Sequence, residues 1–326
     1  QAFLNDVCKQ GYVIAVADIR GTGALFGHYV TTYSAREIDD AVELMQWFSE
    51  QPWCDGNIGM YGRSYLGYHQ YQAILGASPH LKAIFPCVST FDRPAVIWPG
   101  GVYVKSFFED WFALKKMCDT SPDTARVDED GDGSLLRQAQ CEHANNVYQL
   151  GIANTPYRED LDPSSLGMAL PRGHPPTPVG SLDQLNAACM PTYNVGGWFD
   201  FSPRCTALLH ANLNSPRKLL MGPWHHGQTD GFDIGAEMLD WFNHWLKGAD
   251  NKVMAKPAVT YCLEDANWNR HWRTAATWPL PDIGSSHWYL HDQDLLPSQP
   301  KGSSVRTTTA DQRLSMGTDS RWKADL

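Results

Sequence analysis

The stretch NIGMYGRSYLG, Asn57 to Gly67, decides how the rest of the chain is read. Its first part, NIGMYG, reads as a short strand. A helix is expected from about Tyr65 to Gly76, and Ser64 sits at the junction between them. A strand that passes into a helix through a sharp turn pushes the turn's side chain out of the sheet. The next backbone N–H then faces the same point, and small neighbours keep the turn free of clashes. That is the geometry a nucleophilic serine needs. The run departs from G-x-S-x-G, because Leu66 stands at the last position and Gly67 follows it. G-x-S runs are common, so support must come from elsewhere in the chain.

Outward from this stretch the same rhythm repeats. Upstream, GYVIAVADIRG (Gly11 to Gly21) is a near-continuous β-branched run ending in glycine, which predicts a buried parallel strand. Ser34 followed by Glu37 forms a capping box, and Ile38, Val42, Met45 and Phe48 mark one helix face before Pro52. Downstream, LKAIFPCVS from Leu81 predicts a third strand. Strands alternating with amphipathic helices predict an α/β fold, a mostly parallel sheet with helices on both faces.

The pattern divides the chain into four stretches. Residues 1–90 hold the first strands and the serine turn. Residues 91–188 break the rhythm with SFFEDWFALKKM, a long acidic loop, LLRQAQCEHANNVYQL and a Pro-rich run at 171–178, and predict a mainly helical insertion. Residues 189–250 restore it with CMPTYNVGGWFD, a helix from about Pro203 to Asn212, RKLLMGPWHHG, and a helix carrying Met238, Trp241, Phe242 and Trp245 up to Gly248. Residues 251–326 contain PAVTYCLE, SSHWYLH and SSVRTTT, short strand-like runs that predict the start of an incomplete all-β domain.

Composition excludes several classes of function. With 326 residues, 43% apolar and 19% charged, the chain can bury a sizeable core, and one large domain plus an appendage is expected. Lys and Arg number 26 against 36 Asp and Glu, a formal charge of -10, which argues against nucleic acid and against an anionic membrane surface as partners. No apolar run approaches the roughly 18 residues a membrane helix needs. Gln1 to Gln10 do not read as a signal peptide and no initiator Met is present, so the sequence reads as a cut chain whose compartment, cytoplasmic or secreted, stays open. Eight cysteines without C-x-x-C spacing argue against zinc or a redox pair. Cys118 and Cys141 bracket a polar loop and are read equally well as a disulfide or as free thiols. Cys8, Cys54 and Cys87 are expected as buried thiols. A homo-oligomer is left open.

Serine hydrolysis needs a histidine to take the hydroxyl proton and an acid to orient it. Asp200 follows TYNVGGW and His226 follows KLLMGPW, each just beyond an expected strand end, so Ser64, Asp200 and His226 arrive in the chain order of doubly wound hydrolases. His225 adjoins His226, and residue chemistry alone favours neither. The His pair lacks a third ligand at metal spacing. Asp230 and Asp233 are alternative acids whose simpler role is a turn or a helix cap. Asp18 and Arg20 are expected to buttress a loop as a buried ion pair, and Trp198 and Trp224 to pack behind acid and base. VDEDGDGSLL places Asp128, Asp130 and Asp132 at alternate positions, like the first half of a calcium loop, but Ala139 stands where the bidentate Glu belongs. A solvated acidic turn before a helix is the preferred reading, with structural calcium the alternative. No other cofactor is called for.

DIRGTG (Asp18 to Gly23), WCDGNIGMYGRSYLG (Trp53 to Gly67), GGWFD (Gly196 to Asp200) and GPWHH (Gly222 to His226) together resemble the CocE/NonD acyl esterases of the Xaa-Pro dipeptidyl-peptidase (S15) family, over most of residues 11 to 290. The resemblance implies an α/β-hydrolase fold in which the serine elbow reads G-x-S-Y-x-G, matched by Gly62 to Gly67. It makes Asp200 the acid and His226, rather than His225, the base. It also implies further N-terminal strands, one bearing a Tyr whose hydroxyl joins the oxyanion hole, and a longer C-terminal jelly-roll domain. Of the two oxyanion donors only the Tyr65 N–H lies in this sequence, and one lost donor costs about 3 to 4 kcal/mol of transition-state stabilisation. In the resembling enzymes inserted helices cap the site and their aromatics hold the acyl group, which makes Phe91, Trp98, Trp111 and Phe201 the pocket candidates, with Phe107 and Phe112 nearby.

The function expected is therefore hydrolysis of a small-molecule ester or amide through an acyl-enzyme. A rival is an Xaa-Pro dipeptidyl-peptidase or an α-amino-acid ester hydrolase. Either needs a carboxylate for a free α-amine, yet GGWFD is followed by FSPR, leaving Glu109 or Asp110 of the insertion to supply it. The remaining alternative is an inactive fragment or binding module that keeps the fold.

Overall fold

In the computed structural model of the chain, residues 2–30, 32, 34–97, 99–101, 104–148, 179–226, 229, 231–292, 294–303, 305, 307 and 309 are described. Helix α1 (Ala2–Lys9) is followed by an irregular stretch and then by α2 (Ala35–Ser49), which Ser34 opens as expected, its backbone N–H donating to Glu37 Oε1 at 2.8 Å. Strand β1 (Ile58–Arg63), α3 (Tyr65–Leu75) and β2 (Leu81–Cys87) realise the strand, turn, helix and strand predicted around Ser64.

Between β2 and the next strand come the short helix α4 (Arg93–Ile97), α5 (Lys105–Thr120) and α6 (Ser134–Glu142). Helix α7 (Val179–Ala188) returns the chain to the sheet, and β3 (Thr192–Gly197), α8 (Pro203–Asn212), β4 (Arg217–Gly222) and α9 (Ile234–Lys247) follow where the pattern placed them. The Pro-rich run 171–178 lies outside the described residues.

The sheet runs β1-β2-β3-β4 with every pairing parallel, so all four strands end on one edge. Alternate residues face opposite layers, as a period of two requires. Phe85, Cys87, Tyr193, Val195 and Leu220 pack with Trp241, Phe242 and Leu246 of α9 on one side. Ile84 packs with Ala41, Met45, Ile74 and Leu209 of α2, α3 and α8 on the other.

Past residue 250 the sheet does not stop. Strand β5 (Val259–Glu264) pairs parallel with β4, and β6 (Arg270–Ala275) closes the edge antiparallel to β5. PAVTYCLE is therefore part of the main sheet, because Val259 and Tyr261 complete an apolar layer with Leu219 and Met221. Only β7 (Tyr289–His291) and β8 (Asp294–Leu296) form a separate hairpin. SSVRTTT falls partly outside the described residues, and its described residues carry no strand.

The strand expected upstream of Ser34 is not formed. GYVIAVADIRG forms no strand, and Val13 and Val16 stand 60% and 86% exposed. Tyr12 and Ile14 reach the core beside α9, and the Tyr12 hydroxyl donates to Asn243 at 2.9 Å. The residues between and beyond them find no described strand to pair with and no layer to cover them. Asp18 and Arg20 do not pair with each other either. Arg20 binds Asp40 on α2, 2.9 Å from Nε, and Asp18 accepts from the Ala24 N–H at 3.1 Å.

All eight cysteines are free. Cys118 and Cys141 are exposed thiols, and Cys8 is exposed rather than buried because it faces outward from α1, whereas Val7 enters the core. Two of the alternating acids cap helix α6. Asp130 accepts from the N–H groups of Leu135 and Leu136 at 3.0 and 2.9 Å, and Asp132 from that of Ser134 at 2.9 Å. No group of three metal-ligating side chains occurs among the described residues. Among them, too, no helix is long and apolar enough to cross a membrane.

Candidate active site

Ser64, Asp200 and His226 each lie just past a strand's C-terminal end, after β1, β3 and β4, on one edge of the parallel sheet. Ser64 takes φ 54° and ψ −118°, a conformation that costs a non-glycine residue on the order of 1–3 kcal/mol. Surrounding bonds hold it there. The Ser64 N–H donates to Cys87 O at 3.0 Å, while Ser64 O accepts from the N–H groups of Gly67 and Tyr68 and from the Ser89 hydroxyl. Buried Gln70 of α3 ties the elbow's two flanks, donating to Leu66 O at 3.1 Å and accepting from Phe85 N at 3.0 Å.

The elbow also explains its glycines. A Cβ on Gly67 would lie 2.6 Å from the Ser89 Cβ and 3.1 Å from Cys87 O, so only glycine lets α3 start this close to β2. A Cβ on Gly62 would meet the Leu66 Cβ at 2.4 Å. The glycine pair of G-x-S-Y-x-G is thus a packing requirement, and it tolerates Leu66 between them.

Asp200 stands three residues beyond β3 and His226 four beyond β4. His226 Nδ1 lies 2.8 Å from Asp200 Oδ1, and the carboxylate is 1% exposed. The same Oδ1 accepts the Phe201 N–H at 2.7 Å. With Nδ1 committed to the carboxylate, the imidazole presents Nε2 as its free face for a proton. Ser202 and Thr206 both donate to Ser89 O, at 3.2 and 3.3 Å, so Ser89 links the acid's loop to the elbow.

The neighbouring candidates fall elsewhere. His225 turns away and stacks on Phe199, ring centroids 5.5 Å apart. Asp233 caps α9, accepting from the Ala236 N–H at 2.9 Å, and Asp230 lies outside the described residues. Trp224 is buried in the core beside α9, and the Trp198 indole donates to Cys262 O at 2.7 Å, so both support the loops they precede.

A pocket opens over Ser64. Its floor holds Ser64, Tyr65, Tyr68, Ser89 and Thr90, and its wall holds Ile97 of α4, Phe107, Phe108 and Trp111 of α5, and Phe201. The space amounts to about 600 Å³ with its open mouth included, the size of a small-molecule site. Phe201 also packs against the His226 ring at 4.5 Å, which joins the pocket to the His226–Asp200 pair. Of the pocket candidates, Trp111 and Phe201 line it. Phe91 instead packs on the cluster around α3 and α8, and Trp98 lies outside the described residues. Phe112 is buried in the interior.

Phe108, Tyr68, Val96 and Ile97 are lining residues that pattern reading missed. The spacing of Phe107, Phe108 and Trp111 puts them on one face of α5, a signal that reads as core until the helix is docked on the elbow. Glu109 and Asp110 are exposed on α5 and do not line the pocket.

A family model for X-Pro dipeptidyl-peptidase (S15 family) matches residues 3–228. A Mycobacterium bovis protein whose name assigns it provisionally to the serine esterases is 30% identical along 97% of this chain and 57% of its own length. Cocaine esterase of a Rhodococcus species is 26% identical along 92% of this chain and 55% of its own. The crystal structure of a CocE/NonD family hydrolase from Staphylococcus aureus superimposes with a TM-score of 0.63 at 22% identity, covering 86% of this chain and 45% of that one. The chain thus spans about half the length of the relatives it matches. With the family model covering well over half of the sequence, the chain belongs to the X-Pro dipeptidyl-peptidase (S15) family.

Proposed function

We propose that the chain carries the catalytic apparatus of an acyl esterase, with Ser64 as nucleophile, His226 as general base and acid, and Asp200 as its orienting acid. The observation that supports this most directly is the 2.8 Å contact between His226 Nδ1 and buried Asp200, beside a pocket whose floor is a strained serine. In the reaction Ser64 Oγ attacks the ester carbonyl carbon and passes its proton to His226 Nε2. The carbonyl electron pair moves onto oxygen, which the Tyr65 N–H receives at the start of α3. Collapse expels the alcohol, protonated by His226, and leaves an acyl-Ser64. Water then repeats the sequence and frees the acid.

The pocket supports an uncharged, apolar or aromatic acyl group as the substrate's recognised part. Its described lining residues carry no charge, whereas an N-terminal ammonium would need an acid there, and Glu109 and Asp110 do not line it. Helices α4 to α6 act in this reading as a cap whose aromatic face closes the acyl site. The small-molecule partner is therefore an ester in preference to an Xaa-Pro peptide.

A fluorophosphonate probe, with labelling read by intact mass and peptide mapping, tests the assignment. Labelling at Ser64, abolished in Ser64→Ala, is expected. A folded chain that takes no label overturns it. Hydrolysis of an Xaa-Pro anilide in preference to p-nitrophenyl benzoate would replace the esterase by the peptidase.

A further inference from the structure

Glu37 does more than open a helix. A capping box needs one side-chain oxygen, works with Gln as well as Glu, and sits comfortably in solvent. Here the carboxylate is only 4% exposed, and its two oxygens have separate tasks. Oε1 accepts from the Ser34 N–H at 2.8 Å and completes the cap of α2. Oε2 accepts from the Tyr65 hydroxyl at 2.8 Å, across 28 residues of chain. His69 Nε2 lies 3.8 Å from the same oxygen, but burial holds its imidazole below the ordinary histidine range. It is neutral near pH 7, so that contact is not a full ion pair. Burial pulls Lys115 of α5 below the ordinary lysine range, opposed by its partner Asp119 and, to a smaller extent, by the charge of Glu37. A buried charge is costly to keep where a neutral amide would cap equally well, so the second oxygen points to a role at Tyr65.

Tyr65 is the residue after the nucleophile. Its hydroxyl is tied to Glu37, and its ring stacks on Trp111, centroids 6.0 Å apart and planes 17° from parallel. A side chain fixed at its tip and along its face leaves the backbone N–H little freedom to swing. We infer that Glu37 is a positioning residue for the elbow, holding Tyr65 so that its N–H is aimed at the developing oxyanion, a role that rests on the serine-hydrolase reading above. The strained turn at Ser64 would relax if its neighbours were free to move, and the Glu37 to Tyr65 bond is the clamp that reaches it from α2.

The test uses p-nitrophenyl acetate and p-nitrophenyl benzoate on the unaltered chain, Tyr65→Phe, Glu37→Gln and the double variant, at a temperature where all four are folded. Tyr65→Phe keeps the ring, the stack and the N–H, and is expected to lower kcat about ten-fold on both esters with KM changed less than about two-fold. Glu37→Gln preserves the cap and replaces the charged acceptor by an amide N–H that donates back to the Tyr65 oxygen, a weaker neutral bond, and is expected to lower kcat by less than Tyr65→Phe. Because the two act through one bond, the double variant should be no slower than Tyr65→Phe. Unchanged kcat in Tyr65→Phe, losses that multiply in the double variant, or an effect confined to KM for the benzoate would each overturn the inference while leaving the esterase reading intact. An unaltered chain that neither hydrolyses the esters nor takes the fluorophosphonate at Ser64 would overturn both.

Discussion

Residues 12–20 and strand β2 are both almost continuously apolar, yet they end in opposite environments. Phe85 in β2 is fully buried, whereas Val16 is 86% exposed. Strand β2 has β1 on one edge and β3 on the other, α3 against one face and α9 against the second. Residues 12–20 pair with no described strand and lean on the end of α9, through the Tyr12 hydroxyl on Asn243 and Lys247 Nζ 3.8 Å above the Tyr12 ring, and on α2, through Arg20 on Asp40. An apolar run says how much surface a segment has to bury. Neighbours on both edges and both faces determine whether it is buried.

The same difference decides which parts of the molecule can hold a reacting group still. Asp200 follows β3, a strand paired on both sides, and its carboxylate has a fixed position against His226. Asp200→Asn should therefore give the largest effect of the substitutions considered: a folded protein whose kcat on p-nitrophenyl benzoate falls about 10⁴-fold, since the amide no longer orients or compensates the imidazolium. A loss under ten-fold in steady-state assays would detach Asp200 from the reaction.

Stability comes next. Phe85→Ala removes a ring packed on Tyr193 at 4.6 Å and on Phe242 at 6.3 Å, and should cost about 3–5 kcal/mol in urea unfolding. A cost near zero would mean that the doubly paired strand is not the anchor of the core.

Acid should act on the same doubly covered layer. His210 of α8 is buried, and burial, then the nearby Arg217 charge, push it down from 6.5 to about 4. Between those values the unfolded chain binds the proton and the folded chain does not. The stability contribution is thus complete above about pH 6.5 and is lost as the pH falls toward 4, in total about 3 kcal/mol. His210→Phe should flatten that part of the pH–stability curve, read as the thermal midpoint at a series of pH values. An unchanged slope would assign the acid sensitivity to other groups.

The smallest effect belongs to the unpaired segment. Val16→Ser should shift stability by no more than about 0.5 kcal/mol, because the side chain is already in water. A shift comparable to that of Phe85→Ala would show that residues 12–20 are covered in solution and would erase the contrast with β2.

Much of the fold and of the candidate site was legible before any coordinates. Periodicity placed β1 to β4, α3, α8 and α9, because each is a local pattern whose burial its immediate neighbours satisfy. Gly248, in the left-handed region at φ 66°, closes α9 where the pattern stopped. The spacing of Ser64, Asp200 and His226 was readable because parallel strands deliver their C-terminal ends to one edge whatever lies between them. Residue chemistry could not choose between His225 and His226, since neighbours in sequence have equal composition and unequal directions. The family motif made that choice, and His226 is the one of the two whose ring pairs with Asp200.

Other features depended on pairings that no local pattern encodes. Val259–Glu264 looked like the start of another domain, but its register against β4 makes it the fifth strand of the sheet. Gly11–Gly21 looked like a core strand, and the lack of a described partner leaves it outside the sheet. Phe107, Phe108 and Trp111 read as an ordinary apolar stripe until α5 docks on the elbow and turns it into a pocket wall. Glu37 read as a helix cap because its second oxygen reaches Tyr65 across 28 residues of chain. Sequence by itself determined the elements and the order of the chemistry, because those rest on local periodicity and chain direction. Tertiary structure decided which surfaces meet, because burial and hydrogen bonding between distant segments depend on what lies beside them.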